Sequence, residues 1–112
     1  MAGKPDNVSA YLRSTVGEAV RCARLGGAAE GVAPKPVFPY GWDHFHAPPS
    51  PPRRAPTSFV LAQLQHSADA GAAGVVMWGS DVQTTNASYW AWYTREMGPA
   101  IRSWCRQHEG GC

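Results

Sequence analysis

The chain has 112 residues, a formal net charge of +2 at pH 7, and many glycine and proline residues, 12 and 10 respectively. A chain of this length forms one domain at most, and so small a net charge does not indicate a nucleic-acid or membrane-surface partner. Residues 1–7 lack the apolar core of a signal peptide, and no apolar run is long enough to span a membrane. The glycines and prolines cluster between periodic segments, which favours a folded domain with long loops.

The first predicted element is a helix that begins at Asn7. Apolar residues recur along one side of it at helical spacing. These positions are Val8, Tyr11 or Leu12, Val16, Ala19, Val20 and Ala23. Gly26 and Gly27 are expected to end the helix. Cys22 lies inside the pattern and is expected to be a buried thiol.

The first predicted strand covers residues 37–40, which are too few for a helix and apolar enough for a strand. Tyr40 stands at its carboxyl end. Pro39 is acceptable beside it because strand pairing is about to end there. A long, proline-rich loop follows over residues 41–56, and a long ordered loop after a strand is often functional.

The second predicted strand is the unbroken apolar run of residues 74–78. It follows a helix that Thr57 or Ser58 caps and that ends at Gly71. A run without alternation predicts a strand buried on both faces, which is typical of a parallel sheet covered by helices. Trp78 stands at the carboxyl end of this strand, where α/β folds place their active sites.

The last predicted helix begins near Asn86 and is rich in aromatic residues. Its apolar positions are Tyr89, Trp90, Tyr93, Met97, Ile101 and Trp104. Gly98 and Pro99 are expected to kink or restart it. The order of elements is therefore helix, strand, helix, strand, helix. Two β/α units are about a quarter of an eight-stranded barrel, and two strands cannot bury a two-sided sheet alone. The sequence therefore predicts part of a larger barrel, or a chain that needs partners to complete its sheet.

Tyr40 and Trp78 occupy the same position in successive β/α units, so in a barrel both line one cleft. An aromatic surface with a phenol hydroxyl suits a sugar, because the C–H faces stack on a ring while the polar rim takes hydrogen bonds. The alternative is that both side chains merely cap the core.

Two clusters of polar residues in the proline-rich loop give weaker indications of function. Asp43, His44 and His46 form a short tract, but their spacing is poor for zinc, so solvated loop residues are the favoured interpretation and no metal or other cofactor is expected. Arg53 and Arg54 form a small positive spot, which either attracts a polyanionic substrate or is a solvated surface patch.

Two features indicate the secretory pathway. Asn7 and Asn86 begin glycosylation acceptor patterns, and Cys105 and Cys112 lie close together in a polar tail. As an alternative, each asparagine is a helix cap.

Several of these stretches together resemble the last part of the catalytic barrel of animal hyaluronidases, glycoside hydrolase family 56. The stretches are residues 35–40 (Lys-Pro-Val-Phe-Pro-Tyr), residues 71–79 (Gly-Ala-Ala-Gly-Val-Val-Met-Trp-Gly), and Gly98-Pro99 with the cysteine-containing tail. The first helix also resembles the helix that precedes the family's tyrosine strand, through Arg13, Val16, Glu18, Ala19 and Arg21. The resemblance implies an α/β fold, the C-terminal portion of a (β/α)8 barrel. About two β/α units and a preceding helix would cover residues 1–108, and residues 109–112 would be a truncated cysteine-containing tail.

The resemblance also implies a function. Hyaluronidases are secreted, lysosomal or cell-surface enzymes that cleave hyaluronan, and often chondroitin, at a β-1,4 bond. A glutamic acid protonates the leaving oxygen while the acetamido group of the substrate attacks the anomeric carbon. Tyr40 matches the tyrosine that holds the acetamido group, and Trp78 matches the tryptophan packed against the sugar at the cleavage point.

The sequence departs from the family in its acid motif. The family carries an Asp-x-Glu pair on an early barrel strand, and the 112 residues contain no such pair. The early cysteine of the family's last helix is also missing, since Tyr89 and Trp90 fill that region. The isolated chain is therefore expected to be inactive and to need the rest of the barrel. The alternatives are a non-catalytic piece that binds hyaluronan or another partner, and a fragment without a stable fold. Cys105 and Cys112 either pair with each other or remain free.

Overall fold

A computed structural model describes residues 5–42, 54–78 and 86–108 of the chain. It is mostly helical, with one small parallel sheet. The elements are α1 (Pro5–Glu30), β1 (Tyr40–Trp42), α2 (Thr57–Asp69), β2 (Val76–Trp78), α3 (Ala87–Trp92), a π-helical segment (Tyr93–Met97) and α4 (Gly98–Gln107). Their order is the predicted one. None of the helices in these ranges is long and apolar enough to cross a membrane.

The chain divides into two units, each with its own hydrophobic cluster. The first unit comprises Met1–Gly41 and Ala62–Val76, and the second comprises Trp42–Leu61 and Met77–Cys112. In the first unit, Leu12, Val16 and Val20 of α1 are buried, with Val37, Ala70 and Ala72 packed against them. In the second unit, Ala55, Val60 and Met97 are buried, with Phe59, Met77, Trp92, Tyr93 and Ile101 packed against them. Of the predicted apolar positions of α1, Leu12, Val16 and Val20 thus form a core, whereas Tyr11 and Ala19 are exposed.

Helix α1 continues past the two glycines that were expected to end it. It ends at Glu30 and is followed by Gly31, whose φ of 70° lies in the left-handed region that favours glycine. The Val32 N–H then donates to the Gly27 carbonyl at 2.9 Å, and the Gly31 N–H donates to the Ala28 carbonyl at 3.3 Å. These two bonds form a Schellman cap, which satisfies carbonyl groups at the helix end. The predicted stop was therefore wrong, because the left-handed cap residue is Gly31.

The two strands pair in a two-stranded parallel sheet. The Val76 N–H donates to the Pro39 carbonyl at 2.9 Å, a register that pairs Tyr40 with Val76 and Trp42 with Trp78. The predicted position of Tyr40 at the end of the first strand was wrong, because β1 begins at Tyr40 and ends at Trp42. Pro39, which has no N–H to donate, still contributes its carbonyl just before the strand.

Burial alternates along both strands. In β1 the middle residue, Gly41, is buried between two exposed residues, and in β2 Met77 is half-buried between Val76 and Trp78. Val76 is 43% exposed and Trp78 is 44% exposed. The prediction of a strand buried on both faces was therefore wrong for the described part of the chain. The barrel itself stays a prediction.

The last helical region begins and breaks where the sequence predicted. The side-chain oxygen of Asn86 accepts hydrogen bonds from the backbone N–H groups of Ser88 and Tyr89, which caps α3. The helix then widens into the π-helical segment, in which the Gly98 N–H bonds to the Tyr93 carbonyl, five residues back. Pro99 has no N–H, and in a regular α-helix its ring clashes with the carbonyl four residues earlier. A wider turn before Pro99 allows the helix to restart as α4.

Candidate functional site

The candidate site is a pair of exposed tryptophans at the carboxyl ends of the two strands. The ring centroids of Trp42 and Trp78 lie 4.6 Å apart, and the ring planes make an angle of 72°, an edge-to-face arrangement. Trp42 is 36% exposed and Trp78 is 44% exposed. Large aromatic side chains are usually well buried, so two adjacent exposed indoles are an informative feature.

The local sequence explains why both rings lie on one exposed face. Successive side chains of a strand point to opposite faces. Met77 points to the face opposite Trp78 and packs against the cluster of Ala55, Val60 and Met97. Burial of Met77 therefore holds β2 with Trp78 outward. Trp42 is the neighbour of Trp78 across the parallel ladder, so its ring reaches the same face.

The chemistry of the pair is that of an uncharged aromatic platform. An edge-to-face contact contributes about 0.5–1.5 kcal/mol beyond area burial, which favours this arrangement of the rings. Each indole also carries one N–H donor. Exposed aromatic ring faces suit a ligand with C–H faces, and a pyranose has such faces.

Tyr40, the other predicted substrate residue, is the first residue of β1 and is 66% exposed. It belongs to the first unit, whereas Trp78 belongs to the second. The predicted cleft shared by Tyr40 and Trp78 stays a prediction. The interpretation of either as a core cap does not fit, because both side chains are exposed.

Trp42 is a site residue that the sequence analysis missed. The predicted strand ends at Tyr40, beside Pro39, which places Trp42 in the proline-rich loop. The alternation of Tyr40, Gly41 and Trp42 is a strand signal that continues past the proline, since a large, a small and a large residue alternate with a period of two. That signal identifies Trp42 as a residue on the same side of β1 as Tyr40.

A cation lies among the aromatic residues of α3. The Arg54 Nη2 donates to the Ser88 Oγ at 2.6 Å, and the Arg54 guanidinium carbon lies 5.3 Å from the centroid of the Trp92 ring. Trp92 contacts Tyr93 edge-to-face. Arg53, the other member of the predicted positive spot, lies outside the described residues, as do Asp43, His44 and His46. Within the described ranges, no group of three His, Cys, Asp or Glu residues is placed to hold a metal ion.

The remaining predicted residues have varied outcomes. Asn86 is a cap and Asn7 lies in the first turn of α1, and whether either carries a glycan stays a prediction. Cys22 is exposed and has a free thiol, so its predicted burial was wrong. Cys105 is buried, but Cys112 lies outside the described residues, and their pairing stays a prediction.

Cys22 is exposed because it lies on the charged side of α1. Its Sγ lies 3.8 Å from a carboxylate oxygen of Glu18. Arg21 donates two hydrogen bonds to the same carboxylate. These bonds and the charge of Arg21 hold the pKa of Glu18 below its usual value, and the carboxylate raises the pKa of Arg21.

The first unit contains a groove, which is a second place where a ligand could bind. Its volume is about 260 Å³, and it lies against α1 and the segment before β1. The lining residues are Val20, Ala23, Arg24, Pro34, Lys35, Pro36, Val37 and Gly71. Ligand pockets usually have volumes of about 300–1,000 Å³ and bury most of the ligand. The groove is smaller than that range, so the tryptophan pair remains the candidate site.

Comparison of the chain with protein-family models, with curated proteins and with solved structures gave no match. The resemblance to hyaluronidases therefore depends on the short motifs of the sequence alone, above all on residues 71–79, which contain β2 and Trp78.

Proposed function

We propose that the chain is the C-terminal portion of a hyaluronidase-type catalytic barrel and that it binds an N-acetylated glycosaminoglycan such as hyaluronan. The observation that carries the proposal is the exposed edge-to-face pair of Trp42 and Trp78 at the carboxyl ends of two paired parallel strands. Carboxyl ends of parallel strands are where α/β folds bind their ligands. The hyaluronidase-like motifs supply the substrate class.

The proposed roles of Tyr40 and Trp78 are those that the resemblance to hyaluronidases implies, and the chemistry of each side chain suits its role. The Trp78 ring packs against a C–H face of the sugar at the cleavage point, and Trp42 supports the ring from its edge. Tyr40 donates a hydrogen bond from its hydroxyl to the acetamido group of the substrate. The stacking and the hydrogen bond together position the acetamido oxygen for attack on the anomeric carbon. Such positioning lowers the activation barrier because the entropy of orienting the reacting groups is lost on binding and not in the transition state.

In the complete barrel, the proposed reaction is substrate-assisted hydrolysis of a β-1,4 bond of hyaluronan or chondroitin. The acetamido oxygen forms a bond to the anomeric carbon while the bond to the leaving oxygen breaks, and a carboxylic acid protonates that oxygen. Water then opens the cyclic intermediate and the configuration is retained. The 112 residues contain no Asp-x-Glu pair, so the acid belongs to another part of the barrel, and the isolated chain is inactive.

A second candidate function is non-catalytic binding of hyaluronan by the same tryptophan pair. The missing acid pair favours it, as do the two hydrophobic clusters that the chain forms from its own residues. The two candidate functions use the same binding surface, but only the first includes hydrolysis of hyaluronan by the complete protein. A longer protein that carries the chain after an Asp-x-Glu strand and cleaves hyaluronan excludes the second candidate.

The experiment that tests the common part of the proposal is a titration of the full chain with hyaluronan oligosaccharides, followed by tryptophan fluorescence or calorimetry. Trp78→Ala is expected to weaken binding roughly tenfold, which corresponds to about 1.4 kcal/mol of lost stacking. Trp90→Ala is the matched control, because Trp90 is 48% exposed but lies on α3, outside the pair. Equal effects of the two variants, or no binding by the natural chain, would overturn the proposal.

A further inference from the structure

We propose that the groove of the first unit binds a small carboxylic acid with a compact apolar body, and that Arg24 and Lys35 hold the carboxylate. The inference goes beyond the proposed function, because the groove and the tryptophan pair are formed by different residues. Apolar residues and these two cations line the groove, and none of the described residues that line it is acidic.

The floor of the groove is apolar and begins on one side of α1. Val20 and Ala23 are three residues apart, so they share a face of the helix. Val37, on the segment before β1, packs against the buried cluster that contains Val20 and continues the floor. A Cβ built on Gly71 would lie 3.2 Å from a methyl carbon of Val20, so the glycine keeps this part of the floor uncovered. Such a floor favours the C–H groups of a ligand, because contact removes them from water.

The wall formed by residues 34–37 is held in place before any ligand binds. The Pro34 nitrogen lies 3.0 Å from the position of a Cβ built on Gly27, so the wall starts packed on the backbone of α1. At the other end, the Ala73 N–H donates to the Val37 carbonyl at 2.9 Å. The two prolines of the wall also restrict its backbone. A wall that is already ordered loses little conformational entropy when a ligand binds.

Arg24 and Lys35 place positive charge above this floor. Arg24 lies on α1, and its Nη2 is 3.9 Å from the position of a Cβ built on Gly71, whereas Lys35 lies on the wall. In the ranges that the structure describes, the ion pair joins Glu18 and Arg21, and neither cation of the groove has a carboxylate partner. Both side chains are exposed, so their N–H donors are accessible to a carboxylate. Unpaired positive charge beside an apolar floor matches an anion with an apolar body.

The size of the groove favours a small molecule over a protein. Its volume of about 260 Å³ is below the usual range for drug-sized ligands, about 300–1,000 Å³. A stable protein interface takes about 20–30 residues from each partner, and the groove offers 8 lining residues. A compact acid, of which benzoate is a convenient probe, fits these limits.

The test is a nuclear magnetic resonance titration of the ¹⁵N-labelled full chain with benzoate, benzamide and acetate. Benzoate is expected to bind roughly tenfold or more tightly than either of the others, since benzamide lacks the charge and acetate lacks the ring. The amide signals of Ala23, Val37 and Gly71 should shift with benzoate, because these residues line the groove. Moderate salt should weaken binding of benzoate and leave binding of benzamide unchanged, since only the first contact is ionic.

Substitutions separate the charge of the groove from its floor. Arg24→Gln should weaken benzoate binding roughly tenfold and leave benzamide binding unchanged, and Lys35→Gln should act in the same direction. Ala23→Leu fills the floor with a residue that favours helix, and it should weaken the binding of both ring compounds. Arg13→Gln is the matched control, because Arg13 is an exposed cation of α1 that does not line the groove. If Arg24→Gln does not fold, Lys35→Gln and Ala23→Leu still test the inference.

Three results would overturn the inference. Equal affinity for benzoate and benzamide, or equal losses in Arg24→Gln and Arg13→Gln, would mean that the cations of the groove do not hold the ligand. Equal affinity for benzoate and acetate would mean that the apolar floor has no part in binding. Absence of a saturable shift at Gly71 would mean that the groove is empty of benzoate. Trp78→Ala should bind benzoate as the natural chain does, so each of these failures leaves the proposed binding of hyaluronan standing.

Discussion

Two adjacent glycines of α1 have opposite structural roles. A Cβ built on Gly26 meets no atom within 4 Å, whereas a Cβ on Gly27 lies 2.8 Å from the Val32 carbonyl oxygen and 3.0 Å from the Pro34 nitrogen. The chain that leaves α1 thus packs directly onto the backbone at Gly27. A side chain there must displace backbone atoms, which have little freedom to move.

Substitution of the two glycines by alanine is therefore expected to give effects of opposite sign. Gly26→Ala should raise the free energy of unfolding by about 0.5–1 kcal/mol, the difference in helix propensity between the residues. Gly27→Ala should lower it by about 1–3 kcal/mol, because the clash exceeds that gain. Urea unfolding of both variants measures the difference. Stabilisation by Gly27→Ala would contradict the close approach of residues 32–34.

The ion pair of Glu18 and Arg21 predicts a small acid sensitivity of α1. The hydrogen bonds from Arg21 lower the pKa of Glu18 in the folded chain below its ordinary value of 4.5. The resulting stabilisation is present above that ordinary value and is lost as the pH falls through the lowered pKa. Both side chains are well exposed, so the effect is small and salt weakens it.

The measurement is the helical circular dichroism signal between pH 7 and pH 2, with Glu18→Gln as the reference. The natural chain should lose more signal on acidification than the variant, and the difference should shrink at high salt. An acid response that is identical in the two chains would mean that the pair does not stabilise α1.

At the scale of the element, the sequence predicted the order of helices and strands but placed several boundaries wrongly. Asn86 caps α3 as predicted, and α2 ends at Asp69, two residues before Gly71, whose φ of 97° stops the helix there. Both signals act through local backbone chemistry that the residue type reveals. The end of α1 depends on which of several nearby glycines adopts the left-handed conformation, and the position of β1 depends on its pairing with the distant β2. Gly27 remains helical with Val32 and Pro34, just after the helix, packed closely against it, whereas Gly26 has no such neighbour.

The cap of α3 gives a prediction at the same scale. The Oδ1 of Asn86 accepts from the Ser88 N–H at 2.8 Å and from the Tyr89 N–H at 3.3 Å. Asn86→Ala should lower the free energy of unfolding by about 1 kcal/mol, because it leaves helix N–H groups without this acceptor. Asn86→Asp keeps the acceptor and should change stability by only a few tenths of a kcal/mol.

Thermal unfolding of the two Asn86 variants separates the cap from glycosylation. Both substitutions remove the asparagine that a glycan needs, so protein made in a secretory host should lose any glycan at this position in both. If only Asn86→Ala is destabilised, the cap is the cause. Equal destabilisation of both variants in glycosylated protein would assign the effect to the glycan.

At the scale of the whole molecule, the sequence predicted the position of Trp78 and missed its neighbour. Trp78 follows an apolar run bounded by turn residues, a signal that places a strand end. Trp42 contacts Trp78 only because the two strands pair in a particular register, and no local pattern specifies a register between distant segments. The exposure of both rings has the same origin, since the face on which a side chain lies depends on what packs against the other face.

The 112-residue chain is expected to fold and to bind hyaluronan oligosaccharides, but not to hydrolyse them. In a far-UV circular dichroism melt it should unfold cooperatively, because each unit has its own cluster of buried residues. Hyaluronan oligosaccharide at ten times its Kd should stabilise the folded form by about 1.4 kcal/mol, which corresponds to a rise in Tm of roughly 6 °C. Trp78→Ala, expected to bind roughly tenfold more weakly, should reduce the stabilisation at the same concentration to about 0.4 kcal/mol, a shift of roughly 2 °C. No new reducing ends should form with either chain. A flat melt would mean that the sheet needs further strands before it is stable, since two short strands bury little surface. Turnover by the purified chain would mean that a carboxyl group other than an Asp-x-Glu pair protonates the leaving oxygen.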